Sequence, residues 1–130
     1  MKDYISKLDA IADNYHNKNV PDKFIEEISQ TKSLSWICEK LNGTKRILEL
    51  GYGDGIINQN LIAKGFSIDV IEGSNKVIKR AKEDNPSLNI QQTLFETFHT
   101  EKTYERILAL HVLEHVDAPV TLLKNMVNWL

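Results

Sequence analysis

The stretch Glu49-Leu50-Gly51-Tyr52-Gly53-Asp54-Gly55 decides the fold, because it places three glycines between an apolar run and a helical stripe. The apolar run before it predicts a buried strand, and isoleucines and leucines at helical spacing follow it. Gly51 is the candidate for the positive φ with which the chain leaves the strand. Gly53 has no Cβ to block a ligand, and Gly55 lets the helix pack close to the strand. The stretch therefore predicts a strand–turn–helix unit whose unpaired helix amides face a ligand.

Outward from this turn, the apolar residues alternate between strand-like and helix-like spacing. We expect four strands, within residues 46–50, 67–72, 88–93 and 104–110. Helices are predicted after the first, second and fourth strands, the second of them capped by Ser74 and the last beginning around Pro119. This alternation is typical of an α/β fold, in which helices cover the faces of a parallel sheet.

Residues 1–43 predict a helical segment of a different character. A first helix, ending near residues 14–19, is indicated by apolar residues at helical spacing, namely Tyr4, Ile5, Leu8, Ile11 and Ala12. Pro21 is suited to begin a second helix, and Ser33 is suited to cap a third that ends at the turn Asn42-Gly43. We expect these apolar helix faces to pack against the rest of the protein. Tyr15 and His16 are candidates for a lid helix over the ligand site.

Two acidic residues, Glu49 and Glu72, end the first two predicted strands. Neighbouring strand ends line the ligand crevice of an open α/β sheet, so Glu72 can accept hydrogen bonds from a ribose. A dinucleotide fingerprint needs a small residue where this chain has Ile56, and no P-loop lysine follows the glycines. A carboxylate at Glu49 suits a ligand with a cationic tail, such as an amino group and a sulfonium.

Composition narrows the function classes. The 130 residues fit one domain, and the 16 basic against 18 acidic residues leave a formal net charge of −2. No basic stripe indicates a nucleic-acid partner, and no apolar run reaches the roughly 18 residues of a membrane span. Cys38 is the single cysteine, which excludes an internal disulfide and a cysteine-based zinc site. We expect a cytoplasmic protein without a signal peptide.

A third motif, His111-Val112-Leu113-Glu114-His115, follows the fourth predicted strand. Together with the glycine turn and Glu72, it resembles the class I S-adenosylmethionine-dependent methyltransferases, in the branch with small-molecule or lipid-quinone-type members. The resemblance covers about residues 44–125. It implies a Rossmann-like sheet of strand order 3-2-1-4 in residues 44–130, behind an N-terminal helical segment or lid in residues 1–43.

The resemblance also implies a cofactor, S-adenosylmethionine, and a residue set that holds it. The turn would surround the methionine part, Glu72 would hold the ribose hydroxyls, and residues 93–96 would hold the adenine. His111, Val112 and Leu113 would lie at the end of the fourth strand, beneath the sulfonium. The implied cofactor-binding residues are Glu49, Gly51, Tyr52, Gly53, Gly55, Glu72, Gly73, Leu94, Phe95, His111, Val112 and Leu113.

This chain departs from the family pattern at two positions. Thr93 lies where many relatives have an aspartate for the adenine amino group, and Glu105 lies where an aspartate is common. The implied reaction is methyl transfer to a small molecule, and a hydroxyl acceptor needs a proton acceptor such as His115 or His111. The alternatives are a cofactor-binding module without catalysis and, more remotely, a zinc hydrolase using His111, Glu114 and His115 on a helix.

The family's later strands have no counterpart in this chain. We therefore expect the fourth strand to present an unpaired apolar edge, which natural proteins rarely leave bare. Three explanations are open: truncation of a longer protein, pairing of that edge with a second copy, or coverage by the N-terminal helices. Truncation and self-association are the favoured two.

Overall fold

The computed structural model describes residues 1–14 and 22–130. Five helices are present among these residues: α1 (Lys2–Ala12), α2 (Lys23–Leu41), α3 (Ile56–Ala63), α4 (Asn75–Asp84) and α5 (Pro119–Trp129). The strands are β1 (Ile47–Leu50), β2 (Ile68–Glu72), β3 (Ile90–Gln92) and β4 (Arg106–Leu108). A 3₁₀ turn, Leu113–His115, lies between β4 and α5. None of the helices in the described ranges is long and apolar enough to cross a bilayer.

The four strands form one parallel sheet in the order β3-β2-β1-β4, which confirms the predicted fold class. In β1, Ile47 is paired with Ile68 on one side and with Arg106 on the other. Because parallel strands share a direction, the carboxyl ends of β1 and β2 meet at one edge of the sheet, directly before the glycine turn. β4 is an edge strand, paired with β1 alone among the described strands.

Alternate residues of β1 supply two hydrophobic cores, one on each face of the sheet. Ile47 belongs to the core that α2, α3 and α4 cover, and Leu48 and Leu50 belong to the core that α5 covers. In the second core, the ring of Phe98 meets that of Trp129 edge-to-face, with centroids 5.0 Å apart. All four residues of β1 are buried, as expected for a central parallel strand. The sheet is therefore a rigid base for the turn that follows β1.

The prediction of separate second and third N-terminal helices was wrong. A single helix, α2, runs from Lys23 to Leu41. No glycine or proline interrupts this range, and Ser33 does not cap a helix, because its hydroxyl donates to the carbonyl of Ser29 one turn back, at 2.9 Å. The predictions for Tyr15, His16 and the helix start at Pro21 lie outside the described residues.

The remaining elements follow the sequence pattern, with shorter strands at the sheet edges. The Ser74 hydroxyl caps α4 by accepting the Val77 amide N–H, at 3.2 Å, as predicted. β3 and β4 each keep three residues of the longer predicted runs. Two residues before β4, the Tyr104 amide donates to the carbonyl of Trp129, 2.7 Å away, which ties the approach to this strand to the end of α5.

Candidate functional site

The glycine turn after β1 has the geometry that the sequence predicts, with one difference. Its three glycines all have positive φ, +79° at Gly51, +58° at Gly53 and +80° at Gly55. A Cβ on Gly53 would meet nothing within 4 Å, so this position leaves open space. A Cβ on Gly55 would lie 2.5 Å from the ring of Tyr52. The close neighbour of Gly55 is thus the Tyr52 ring folded under the turn, whereas we had expected the preceding strand.

Glu49 is a buried carboxylate directly before this turn, with 4% of its surface exposed. Asn58 of α3 donates its side-chain amide to Oε2 of Glu49 at 2.5 Å. Burial raises the pKa of Glu49 to about 7; the Asn58 hydrogen bond opposes the rise, and the nearby charge of Glu72 adds to it. The protein therefore holds a carboxyl group that ionises near neutral pH, and a cation beside it would favour the charged form.

Glu72 is the second buried carboxylate, at the end of β2, with 7% of its surface exposed. Two backbone amides donate to it, that of Tyr52 at 3.0 Å and that of Ser74 at 2.8 Å. Burial raises its pKa, and the backbone hydrogen bonds oppose that rise. The carboxylate therefore ties the glycine turn to the start of α4 and has a fixed position before any ligand arrives.

A cavity of about 240 Å³ lies over this sheet edge. Ten of the twelve predicted residues line it, namely Glu49, Gly51, Tyr52, Gly53, Glu72, Gly73, Leu94, Phe95, His111 and Val112. Gly55 and Leu113 are not part of the lining. Gly55 packs under Tyr52, and Leu113 packs against the core beneath α5. The structure thus brings together residues from four separate segments of the sequence.

The histidine segment is placed differently from the prediction. β4 ends at Leu108, so His111 lies in a turn beyond the strand, with a left-handed φ of +54°. His115 ends the 3₁₀ turn, and its side chain also lines the cavity. The helix that a zinc-binding pair at positions 111 and 115 requires is not formed. Within residues 1–14 and 22–130, no group of three or more side chains is placed to hold a metal ion.

The N-terminal helices supply cavity residues that sequence reasoning missed. Leu8 of α1 lines the cavity and contacts Gly73, while its neighbour Asp9, outside the lining, accepts from the Ser74 hydroxyl at 2.6 Å and from the Lys76 amide at 3.1 Å. Lys23 of α2 also lines the cavity and makes an ion pair with Asp54 at 2.9 Å. The apolar stripe of α1 was recognised, but a stripe does not show which face of the protein it covers.

Comparison with known proteins is consistent with this geometry. The family described as "Methyltransferase domain" matches residues 15–130. The chain belongs to this family. One relative is a ubiquinone biosynthesis O-methyltransferase of Rickettsia akari, 28% identical over 138 residues, which covers 98% of this chain and 55% of the relative. The chain spans about half the length of the curated relatives that it matches.

Solved structures of methyltransferases show the same fold. The N-methyltransferase NodS of Bradyrhizobium japonicum, in complex with S-adenosylhomocysteine, has a TM-score of 0.72 at 20% identity, covering 98% of this chain and 66% of NodS. The N-terminal domain of EvdMO1, with S-adenosylhomocysteine bound, has a TM-score of 0.73 at 20% identity, covering 95% of this chain and 60% of that domain. At 20% identity the comparison shows a shared fold, so the roles of the site residues have to be argued from this chain itself.

Proposed function

We propose that this methyltransferase-domain chain binds S-adenosylmethionine in the cavity and takes part in methyl transfer to a small-molecule acceptor. The observation that carries the proposal is the pair of buried carboxylates, Glu49 and Glu72, at adjoining strand ends beneath a glycine turn. Family membership and the methyltransferase names of the relatives support the same reaction. When bound, the cofactor supplies an electrophilic methyl group on a positively charged sulfur.

The residues present fit this cofactor. Gly53 leaves open the space that a Cβ would occupy, so a ligand can approach the backbone of the turn. A cationic methionine arm beside Glu49 would relieve the cost of the buried charge. Glu72 lines the cavity beside its backbone donors Tyr52 and Ser74, and its carboxylate oxygens are acceptors suited to ribose hydroxyls.

The other predicted positions divide between the two ends of this ligand. We assign Leu94 and Phe95 to the adenine, with Gly73 beside the ribose, because these residues line the cavity on the β3 side. Tyr52 and Gly51 would contact the methionine part, and His111 and Val112 the methyl side. Gly55 would act indirectly, by leaving room for the Tyr52 ring. Leu113 would also act indirectly, by packing the turn after β4 against the core.

Residues 1–43 would act as a cover over the domain formed by residues 44–130. The contacts of Leu8 and Asp9 with the start of α4, and the Lys23–Asp54 ion pair, support this division of roles. The methyl acceptor would then enter between the helices and the turn after β4. We also propose a cytoplasmic location, which the unpaired Cys38 thiol supports.

Calorimetric titration with S-adenosylmethionine and S-adenosylhomocysteine tests cofactor binding. Glu72→Gln should weaken binding by about tenfold to a hundredfold, because a charge-assisted hydrogen bond contributes about 1.5–3 kcal/mol. Glu83→Gln is the matched control, an exposed glutamate on α4 outside the cavity lining. Unchanged affinity in Glu72→Gln would refute the ribose assignment, and the absence of binding by the parent chain would refute the function.

Transfer of a labelled methyl group to a panel of small phenols, hydroxy sugars and amines tests catalysis. A methylated product identifies an enzyme, whereas tight cofactor binding without transfer to any acceptor favours a binding module. The acceptor that reacts also identifies the attacking atom as oxygen, nitrogen or carbon.

The edge of β4 supports a proposal of self-association. β4 pairs with β1 on one side, and apolar side chains on the outer face of α5, such as Val120 and Val127, are exposed. A second copy could pair with this edge and cover that face. Sedimentation equilibrium should then give twice the chain mass of 14.9 kDa, and a concentration-independent mass of one chain would overturn the proposal.

A further inference from the structure

The turn after β4 holds His111 in a backbone conformation that residues other than glycine rarely adopt. Its φ is +54°, the one positive value at a non-glycine residue within the described ranges. The next residue, Val112, is buried in the core under α5, and its carbonyl accepts the amide of His115 at 3.0 Å. Strained residues persist where surrounding contacts enforce them, and they cluster at functional sites. The turn thus directs His111 to the cavity that its side chain lines.

Glu114 is the partner of His111 in this turn. Oε1 of Glu114 lies 3.4 Å from Nδ1 of His111, within ion-pair distance, and both side chains are more than half exposed. If the carboxylate accepts the Nδ1 proton, the neutral imidazole keeps its lone pair on Nε2, the nitrogen that remains available to a substrate. His115 lines the same cavity, but no carboxylate lies within ion-pair distance of it among the described residues. The carboxylate therefore distinguishes the two histidines.

We propose that His111 is the proton acceptor for a hydroxyl-bearing methyl acceptor and that Glu114 is its positioning residue; this inference rests on the proposed function. As the substrate oxygen forms its bond to the methyl carbon, the carbon–sulfur bond of the donor breaks with its electron pair left on sulfur. The hydroxyl proton passes to Nε2 of His111 and from there to water. This arrangement is the general-base pair in which a carboxylate fixes the tautomer of the histidine.

Other titratable groups line the cavity with His111 and can also affect a pH–rate profile. They are His115, Tyr4, Lys23, Glu26, Glu49, Tyr52, Asp54, Glu72 and Glu96, while Glu114 contacts His111 from outside the lining. A pH–rate profile by itself therefore cannot be assigned to one group, and the test needs a readout specific to His111.

The tautomer of His111 is that readout, and it requires neither cofactor nor substrate. In ¹⁵N-labelled full chain at a pH where the ring is neutral, we expect Nδ1 of His111 to carry the proton. In Glu114→Gln the population should shift toward the Nε2-protonated form. His111→Gln assigns the signals. A neutral His111 with its proton mainly on Nε2 in the parent chain overturns the proposal.

Kinetics provide the second test once an acceptor is known. His111→Gln should lower kcat by about a hundredfold, the lower end of the range for general-base catalysis, and this loss should exceed any accompanying change in KM or in the cofactor Kd. Glu114→Gln should lower kcat by a smaller factor. His99→Gln, an exposed histidine outside the cavity lining, is the matched control. Normal turnover in His111→Gln, or a loss confined to His115→Gln, overturns the proposal while leaving cofactor binding intact.

Discussion

Replacing Glu49 with glutamine should make this protein more stable and a weaker binder at the same time. Burial raises the pKa of Glu49 to about 7 from its ordinary value of 4.5. At about 1.4 kcal/mol per pKa unit, ionising this group costs the folded state roughly 3 kcal/mol more than the unfolded state. Because the folded-state pKa is the raised one, the stabilisation is fully present below pH 4.5 and is lost as pH rises through 7.

Glu49→Gln keeps the shape of the side chain and an oxygen that can accept from Asn58, but it never ionises. We therefore expect the free energy of unfolding of the variant to lie within about 1 kcal/mol of that of the parent at pH 5. At pH 8 it should exceed the parent value by up to about 3 kcal/mol. Urea denaturation at several pH values, without ligand, measures the difference. Glu96→Gln is the matched control, since it removes an exposed carboxylate from the same cavity.

Ligand binding should show the opposite effect. A cationic ligand favours ionised Glu49, so S-adenosylmethionine should displace a proton near pH 7, and its affinity should fall by up to about tenfold per pH unit below that. Calorimetry in buffers of different ionisation enthalpy measures the proton release. In Glu49→Gln that release should disappear, and affinity at pH 8 should fall. A parent chain whose stability does not change between pH 5 and 8 would refute the reasoning.

Four further substitutions test the contacts around the cavity by urea denaturation. Gly55→Ala should lower the free energy of unfolding by about 3 kcal/mol or more, because the new Cβ clashes with Tyr52 and alanine is strained at this positive φ. Gly53→Ala should lower it by about 1–2 kcal/mol, from the backbone strain alone. Equal losses would contradict the packing of Tyr52 against Gly55. Asp9→Ala should lower the free energy of unfolding by about 1 kcal/mol, because it removes the acceptor for two donors at the start of α4. Hydrogen exchange of the α1 amides should then become faster. Unchanged exchange would count against Asp9 as the contact that holds α1 on α4. Lys23→Met should lower the free energy of unfolding by about 1–3 kcal/mol, since it leaves the partly buried carboxylate of Asp54 without this cation. A loss no larger than that of an exposed lysine would show that the ion pair contributes little.

The central part of the fold could be predicted from local sequence because its signals are local. A buried four-residue strand, apolar except for Glu49, that leads into three closely spaced glycines has few structural solutions, and Ser74 occupies the cap position before an apolar helix stripe. The continuity of α2 through Ser33 could not be predicted in the same way. Ser33 is compatible with a cap and with a helix interior, and the choice depends on whether its hydroxyl bonds forward or to the carbonyl of Ser29.

The candidate site was predictable where the topology of the sheet determines it. Glu49 and Glu72 had to meet, because parallel neighbours end at the same edge. The contributions of Leu8 and Lys23 depend on how α1 and α2 dock on the sheet, which is a long-range contact with no local pattern. Gly55 was predicted as a cofactor residue from its motif, but the motif does not show that the space beside it belongs to Tyr52.

The two buried carboxylates have different hydrogen-bond donors, and we therefore expect them to play different roles in folding and in binding. Glu72 is held by backbone amides of the turn and of α4, so it is in place before a ligand arrives and its loss also loosens the turn. Glu49 has a single side-chain donor, Asn58, and retains an unfavourable charge near neutral pH. A ligand cation therefore gains more from Glu49 than from Glu72, whose negative charge the backbone amides already stabilise. Substitution of Glu72 should thus weaken both binding and folding, whereas neutral substitution of Glu49 should separate them.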